Sequence, residues 1–259
     1  MEKTGQEKVE YMSKLWIDTR LTEEEMKFLW DACSVKHKES FNSELAGNIS
    51  KSELLKDKDN WFYESVLKPL TEKMFYRENN NYYKYHVEKE EPLPKFEMDM
   101  FWVNYQKQYE FNPIHDHNGG RGFSFVVFMK IPTHWKEQHA LPISANSNAP
   151  LASSFVFVKS EKDSNYCENI NFQLSPDDEG RILFFPAWLQ HMVYPFYECE
   201  KERVTISGNI ALEIPNKQEV SVDEYEEKKK IFKMMENTVK ITKKELKQMK
   251  KVGEKEGLN

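Results

Sequence analysis

With 259 residues, 39% of them hydrophobic and 14% aromatic, the chain has ample material for a core, and nine glycines with 31% charge exclude fibrous and low-complexity classes. A net charge of −6 gives no electrostatic footprint for nucleic acid, and no window approaches the roughly 18 apolar residues of a membrane span. The opening "MEKTGQEKVEYMSK" lacks the apolar run of a signal peptide, and Cys33, Cys167 and Cys199 fit no metal spacing, so free thiols in a reducing cytoplasm are expected.

The first part of the chain reads as helices with a strand or two. "LTEEEMKFLWDAC" opens with a capping box, Thr22 followed by Glu25, and Met26, Leu29 and Trp30 then recur at helical spacing. A second box, Ser50 with Glu53, predicts another short turn. Asp59 or Asn60 is placed to cap "WFYESVLKPLTEKMFYRE", which Pro69 ends or kinks. "ENNNYY" and "EKEEPLPK" are loop material. From residue 96 the character changes. In "FEMDMFWVNYQKQ" Phe96, Met98, Met100 and Trp102 alternate with polar partners, as on one face of a half-buried strand. "GFSFVVFMKI", "SSFVFVK", "GRILFFP", "HMVYPF" and "RVTISGNIALEI" follow as short β-rich runs, with "PTHWKEQH" as a helical insertion. Strands without long intervening helices predict a mainly β protein with flanking helices, closed as a jelly roll or barrel. The expected organisation is a helical support region over 1–95, a β core over 96–215 and a charged helical tail over 216–259, all in one structural domain. The lysine-rich tail reads as a solvated helix covering a sheet, or as an oligomerisation arm.

The chemistry-bearing stretch is "NPIHDHNGG". Residues two apart on a strand share a face, so His115 and His117 point to one side and Asp116 to the other. Downstream, "GRILFFPAWLQHMVYPF" places His191 after a strand that ends in proline. Arg203 follows one strand and a turn later, beside His191 but deeper in a barrel. Arg203, Thr205, Ser207 and Asn209 share a face by the same alternation. A barrel interior lined by these groups is costly unless it faces a polar ligand. An arginine there suits a carboxylate held through two parallel hydrogen bonds. The combination predicts a metal near the mouth and a dicarboxylate reaching inward.

Together, "NPIHDHNGGRGFSFVVFMKIP", "EGRILFFPAWLQHMVYPF" and "ERVTISGNI" resemble the iron(II)- and 2-oxoglutarate-dependent oxygenases of bacteria and T4-like marine phages, a group similar to prolyl hydroxylases. "LAGNISKSELL" and "FWVNYQKQYEFNP" resemble the phage-type branch as well. The resemblance covers about residues 45–213. It implies a double-stranded β-helix (a cupin-like jelly roll), Fe(II), 2-oxoglutarate and O2, with a hydroxylated product, succinate and CO2. The wider superfamily carries His-x-Asp/Glu, a distant His and an Arg. Here the carboxylate position is held by His117, and the His-x-His branch implies a three-histidine face of His115, His117 and His191. Asp116 would ligate only if the chain bulged. Arg203, assisted by Thr205 or Ser207, is implied as the anchor of the distal carboxylate. Lys130 is its rival, since some families of the superfamily use a lysine on an earlier strand. Asn104 and Tyr109 are further candidates to reach the cosubstrate, Tyr109 on the ground that a buried phenol needs a partner. His37, His86, His134 and His139 lack matching partners and read as ordinary residues.

The substrate is open between a small molecule and a peptidyl group, and neither nucleic acid nor membrane is expected as a partner. A phage-encoded chain would work in the host cytoplasm. Two other functions fit the same residues: a three-histidine cupin-type dioxygenase that uses no keto acid, and a non-catalytic jelly-roll binding protein.

Overall fold

The computed structural model describes residues 11–12, 15–36, 38–75, 95–117, 121–160 and 167–213. All of these lie within one compact unit. The expected charged helical tail, its oligomerisation role, most of the two loop stretches before residue 95, and His37 and His86 lie outside the described residues.

The N-terminal region contributes β1 (Tyr11–Met12), β2 (Ile17–Arg20), α1 (Glu23–Ser34), β3 (Lys51–Leu54) and α2 (Lys68–Phe75). α1 starts at its capping box: Thr22 Oγ1 accepts from the Glu25 amide, and the Glu25 carboxylate accepts from the Thr22 amide. Three acidic residues fill its first turn, where the helix dipole favours negative charge. The second expected turn does not form. Ser50 precedes β3, whose amides pair with the sheet, and Glu53 instead meets Lys38 at 3.0 Å. A local capping signal has yielded here to tertiary pairing. The next helical segment is capped by neither Asp59 nor Asn60, which have left-handed φ values of 58° and 55°. Asp57 does the work, its two oxygens accepting from the Phe62 and Tyr63 amides. The helix then runs through Pro69. A π-turn over Tyr63–Leu67 widens the backbone just before it, a distortion that accommodates the missing N–H and the ring.

The remaining elements are β4 (Lys95–Gln106), β5 (Asn112–His115), β6 (Arg121–Lys130), α3 (Trp135–Ala140), β7 (Phe155–Ser160), β8 (Cys167–Phe172), β9 (Arg181–Pro186), β10 (Gln190–Val193) and β11 (Arg203–Glu213). They build two antiparallel sheets. One has seven strands in the order β1-β2-β9-β6-β11-β4-β3, the other four in the order β5-β10-β7-β8. The fold is mainly β, a jelly roll with flanking helices. The N-terminal region is therefore more than helical support, because β1 and β2 extend one edge of the large sheet and β3 the other.

The large sheet is apolar on both faces. Phe62, Leu67 and Met74 of the helical layer pack on Val103, Phe125, Val127, Phe184, Ile206 and Ile210. The opposite face meets the small sheet, with Val126, Phe128, Leu183 and Phe185 against Phe155, Phe157 and Phe172. In β11 Val204, Ile206 and Ile210 go to the helices, so Arg203, Thr205, Ser207 and Asn209 line the space between the sheets. In β4 the expected alternation is broken. Asn209 pairs with Met100 and Ile210 with Met98, leaving Asp99 as an extra residue. This bulge reverses the faces: Phe96 and Met98 join the helical layer, whereas Met100, Trp102, Asn104 and Gln106 line the cavity. No helix among the described residues is long and apolar enough to cross a membrane. The three cysteines are free.

Gly208 marks a tight crossing between β11 and its neighbours. A Cβ there would stand 2.5 Å from the Met100 carbonyl oxygen and 2.6 Å from the Phe125 ring. Gly208→Ala is expected to destabilise the fold by about 1–3 kcal/mol through overpacking, read as a lower urea midpoint at unchanged m-value.

Candidate metal and cosubstrate site

β5 and β10 pair antiparallel so that His191 lies directly opposite His115. His117 follows the end of β5, where its amide donates to the Ala187 carbonyl at 2.9 Å. The three rings converge, with centroids 4.3 Å apart for His115–His191, 5.1 Å for His117–His191 and 5.2 Å for His115–His117. One nitrogen from each lies within 4.8 Å of the others, the only such cluster of His, Cys, Asp or Glu among the described residues. Asp116 lines the same cavity but is not one of the cluster.

Two of the rings have their tautomer set by the backbone. Nδ1 of His115 sits 2.7 Å from the Pro113 carbonyl and Nδ1 of His191 sits 3.0 Å from that of Leu189. A carbonyl only accepts, so each Nδ1 carries the proton and each Nε2 keeps a free lone pair. Burial pushes the His115 imidazole below its ordinary value, against opposing pulls from the Pro113 carbonyl and then Asp116. His191, among Phe155, Phe157 and Phe185, is pushed well below it by burial and by the two neighbouring histidines. Neutral imidazoles with free lone pairs are the form a divalent iron, nickel, copper or zinc ion takes.

The cluster opens into a cavity of about 200 Å³, where 10–15 Å³ suffices for one water. Arg203 lies fully buried in its wall. Among the described residues no carboxylate pairs with it. Its Nη2 donates to the carbonyl oxygen and hydroxyl of Ser153, Nη1 reaches Gln106 Oε1 at 3.4 Å, and Nε has no partner. Burial pushes the guanidinium down to about 9, so it remains a cation at neutral pH. A buried cation held only by neutral oxygens is arranged for an anion from outside, and the orphaned Nε–H is a donor for it.

Thr205, Ser207 and Asn104 also line the cavity, and Asn104 accepts from the Ser52 hydroxyl at 2.8 Å. Two other candidates are misplaced. Lys130 ends β6 in solvent and does not reach the cavity. Tyr109 is no buried phenol: it is 62% exposed and packs edge-on against Tyr197. Several residues of the site are not evident from the sequence. Ser153 carries no local signal. Gln106 and the functional face of Trp102 depend on the bulge in β4. The strap over residues 41–50, which brings Phe41, Leu45 and Ile49 to the cavity, looks like any loop. It is fastened to the start of β5 by hydrogen bonds between Asn48 and Phe111, at 3.0 and 3.4 Å. Gly47 crosses so closely that a Cβ would fall 1.8 Å from Asn112 Oδ1 and 2.3 Å from the Phe111 carbonyl oxygen.

Residues 100–209 match the family model described as "Putative 2OG-Fe(II) oxygenase". Over those residues, which are less than half of the chain, the protein is similar to that family. Enzymes of that family require Fe(II) and 2-oxoglutarate, and the three imidazoles and the unpaired arginine fit the two. None of the curated proteins searched is similar in sequence. Among solved structures the chain is similar to a 2OG-Fe(II) oxygenase family oxidoreductase from Burkholderia pseudomallei, at 11% identity and TM-score 0.37, covering 60% of this chain and 54% of that one. It therefore spans about half the length of that protein. It is also similar to a Pseudomonas putida prolyl-4-hydroxylase, at 11% identity and TM-score 0.46, covering 77% and 93%. A viral collagen prolyl hydroxylase from Paramecium bursaria Chlorella virus-1 is similar at 11% identity and TM-score 0.42, covering 76% and 95%. Likenesses this distant say nothing about substrate.

The depressed imidazoles have a measurable consequence. Protons compete with a metal at His115 and His191 only below their folded-state values, which lie beneath the ordinary 6.5 or so. Co(II) or Zn(II) affinity is expected to stay level from about pH 8 to about pH 6.5 and to fall only at lower pH, as followed by competitive chelator titration. A decline already complete at about pH 6.5 would contradict the assigned direction of these shifts.

Proposed function

We propose that the protein hydroxylates an organic substrate, a small molecule or a peptidyl group, using Fe(II) held by His115, His117 and His191. 2-Oxoglutarate is converted to succinate and CO2 in the same turnover. The observation that carries this reading is Arg203, a buried cation without a carboxylate partner among the described residues, in the cavity onto which the three histidines open. The iron supplies the activation of O2 when bound, and the protein supplies placement. His115 and His191 arrive neutral and with Nε2 directed by their backbone carbonyl partners. Arg203 takes the distal carboxylate of 2-oxoglutarate through Nε–H and a remaining Nη1 hydrogen, with Thr205 and Ser207 along the way. Asn104 and Trp102 close the β4 side, and the aromatic wall of Phe155 and Phe185 keeps bulk water from the histidines. Substrate enters past the strap and the Asp116 rim. Free thiols support a reducing, cytoplasmic setting.

A second reading is favoured by one observation: the ligand cluster contains no carboxylate. Three neutral imidazoles leave more net positive charge on an ion than the usual two-histidine, one-carboxylate set. That would suit a three-histidine dioxygenase in which Arg203 binds the substrate itself.

Incubation with Fe(II), O2 and 2-oxoglutarate is expected to release succinate, above a control lacking iron. Arg203→Met should weaken 2-oxoglutarate binding by about 2–5 kcal/mol, the range for losing one partner of a buried charged pair, and leave metal affinity unchanged. Its fold should be as stable as the parent or more so, since a hydrophobic isostere relieves a buried charge. A protein that binds iron stoichiometrically but neither binds nor consumes 2-oxoglutarate would turn the choice to the second reading.

A further inference from the structure

Ser153 lies two residues before β7, wholly buried, with a left-handed φ of 67°. That conformation is unfavourable for any residue with a side chain and natural only for glycine. Glycine would have no hydroxyl, however, and here the hydroxyl is used. Every polar group of Ser153 is engaged. Its amide donates to the Pro195 carbonyl at 2.8 Å, and its own carbonyl accepts from Arg203 Nη2 at 2.9 Å. Its Oγ accepts from the same Nη2 and stands 3.1 Å from Thr133 Oγ1. Two oxygens of one residue thus hold one end of the guanidinium, and the ring of Phe196 lies against it at 5.1 Å. Of the five N–H donors of arginine, both on Nη2 are committed and one on Nη1 makes a long contact to Gln106. The Nε–H is unmatched in a side chain that lines the cavity. All of these acceptors are uncharged, so they orient the cation without neutralising it.

We infer that Ser153 is a positioning residue for 2-oxoglutarate: it pins Nη2 of Arg203 so that the Nε side is presented, still uncompensated, to the cosubstrate's distal carboxylate. The strained backbone is the means by which one small residue points both its carbonyl and its hydroxyl at a single nitrogen. This inference rests on the functional reading above. It makes a neutral residue at 153 a requirement, since a carboxylate there would occupy the cation the ligand needs.

The test is calorimetric titration of 2-oxoglutarate into the Zn(II)-loaded protein under anaerobic conditions, where no turnover occurs. Ser153→Ala is expected to weaken 2-oxoglutarate about tenfold, the equivalent of one hydrogen bond to a charged group, with Zn(II) affinity unchanged. With Fe(II) and O2, its KM for 2-oxoglutarate should rise by a similar factor at little-changed kcat. Ser153→Asp is expected to weaken 2-oxoglutarate on the order of a hundredfold without lowering the melting temperature of the metal-free protein, because the new carboxylate pairs with Arg203. If Ser153→Ala does not fold, Thr133→Val removes only the second partner of the hydroxyl and should weaken 2-oxoglutarate roughly threefold. Affinities within twofold of the parent in Ser153→Asp and in whichever of the other two folds would overturn the role, as would equal losses of Zn(II) and 2-oxoglutarate. A parent protein that binds Zn(II) but no 2-oxoglutarate removes the functional reading, and the role of Ser153 with it.

Discussion

β11 is the strand on which the rest of the structure depends. It is hydrogen-bonded to β6 on one side and to β4 on the other along nearly its full length. Its two faces have opposite chemistry: Val204, Ile206 and Ile210 are buried beneath the helices, and Arg203, Thr205, Ser207 and Asn209 look into the cavity. A slip of one residue would drive an arginine into the apolar layer and put valine and isoleucine at the site. The hydrophobic effect therefore does more than hold the sheet to its helices. By fixing register, it also fixes where the cavity receives its only wholly buried cation among the described residues.

The electrostatics of the cavity follow from that placement. Burial lowers the His115 and His191 imidazoles at one end, His191 also through its two histidine neighbours, so these two add no positive charge to that of Arg203 at the other. A divalent ion on three neutral ligands would keep its full charge. The cavity would then hold positive charge at two separated points in low dielectric, an arrangement that is costly empty and favourable around a dianion. A dicarboxylate with one end at each point answers both, which is why the absence, among the described residues, of a carboxylate from the ligand set and of one beside Arg203 belong together.

Much of this was legible in the residues because the relevant periodicities are short. Alternation alone puts Arg203, Thr205, Ser207 and Asn209 on one face, and the β-rich runs from residue 96 onward announce the jelly roll. What escaped was non-local. Asp99 looks like one more polar partner in a regular strand. Only its pairing opposite β11 makes it an extra residue, and the reversal it causes brings Trp102 and Gln106 inward while leaving Phe96 and Met98 with the helices. Ser50 and Glu53 satisfied a capping rule that the edge of the sheet overrode. Tyr109 and Lys130 were attractive by chemical type, but a left-handed turn and a strand end leave them in solvent. Ser153 was invisible because nothing local distinguishes a serine that must adopt a left-handed φ.

The crossing at Gly47 ties together two parts of the molecule that would otherwise vary separately. The strap forms the outer wall of the cavity, and the strand it touches carries His115 a few residues further on. With no room for even a methyl group between the strap and Asn112, any change that widens the entrance at this point also displaces the strand beneath it. Homologues that accept bulkier substrates should accordingly gain room elsewhere along the strap, since at residue 47 the cavity wall and the ligand-bearing strand share one contact.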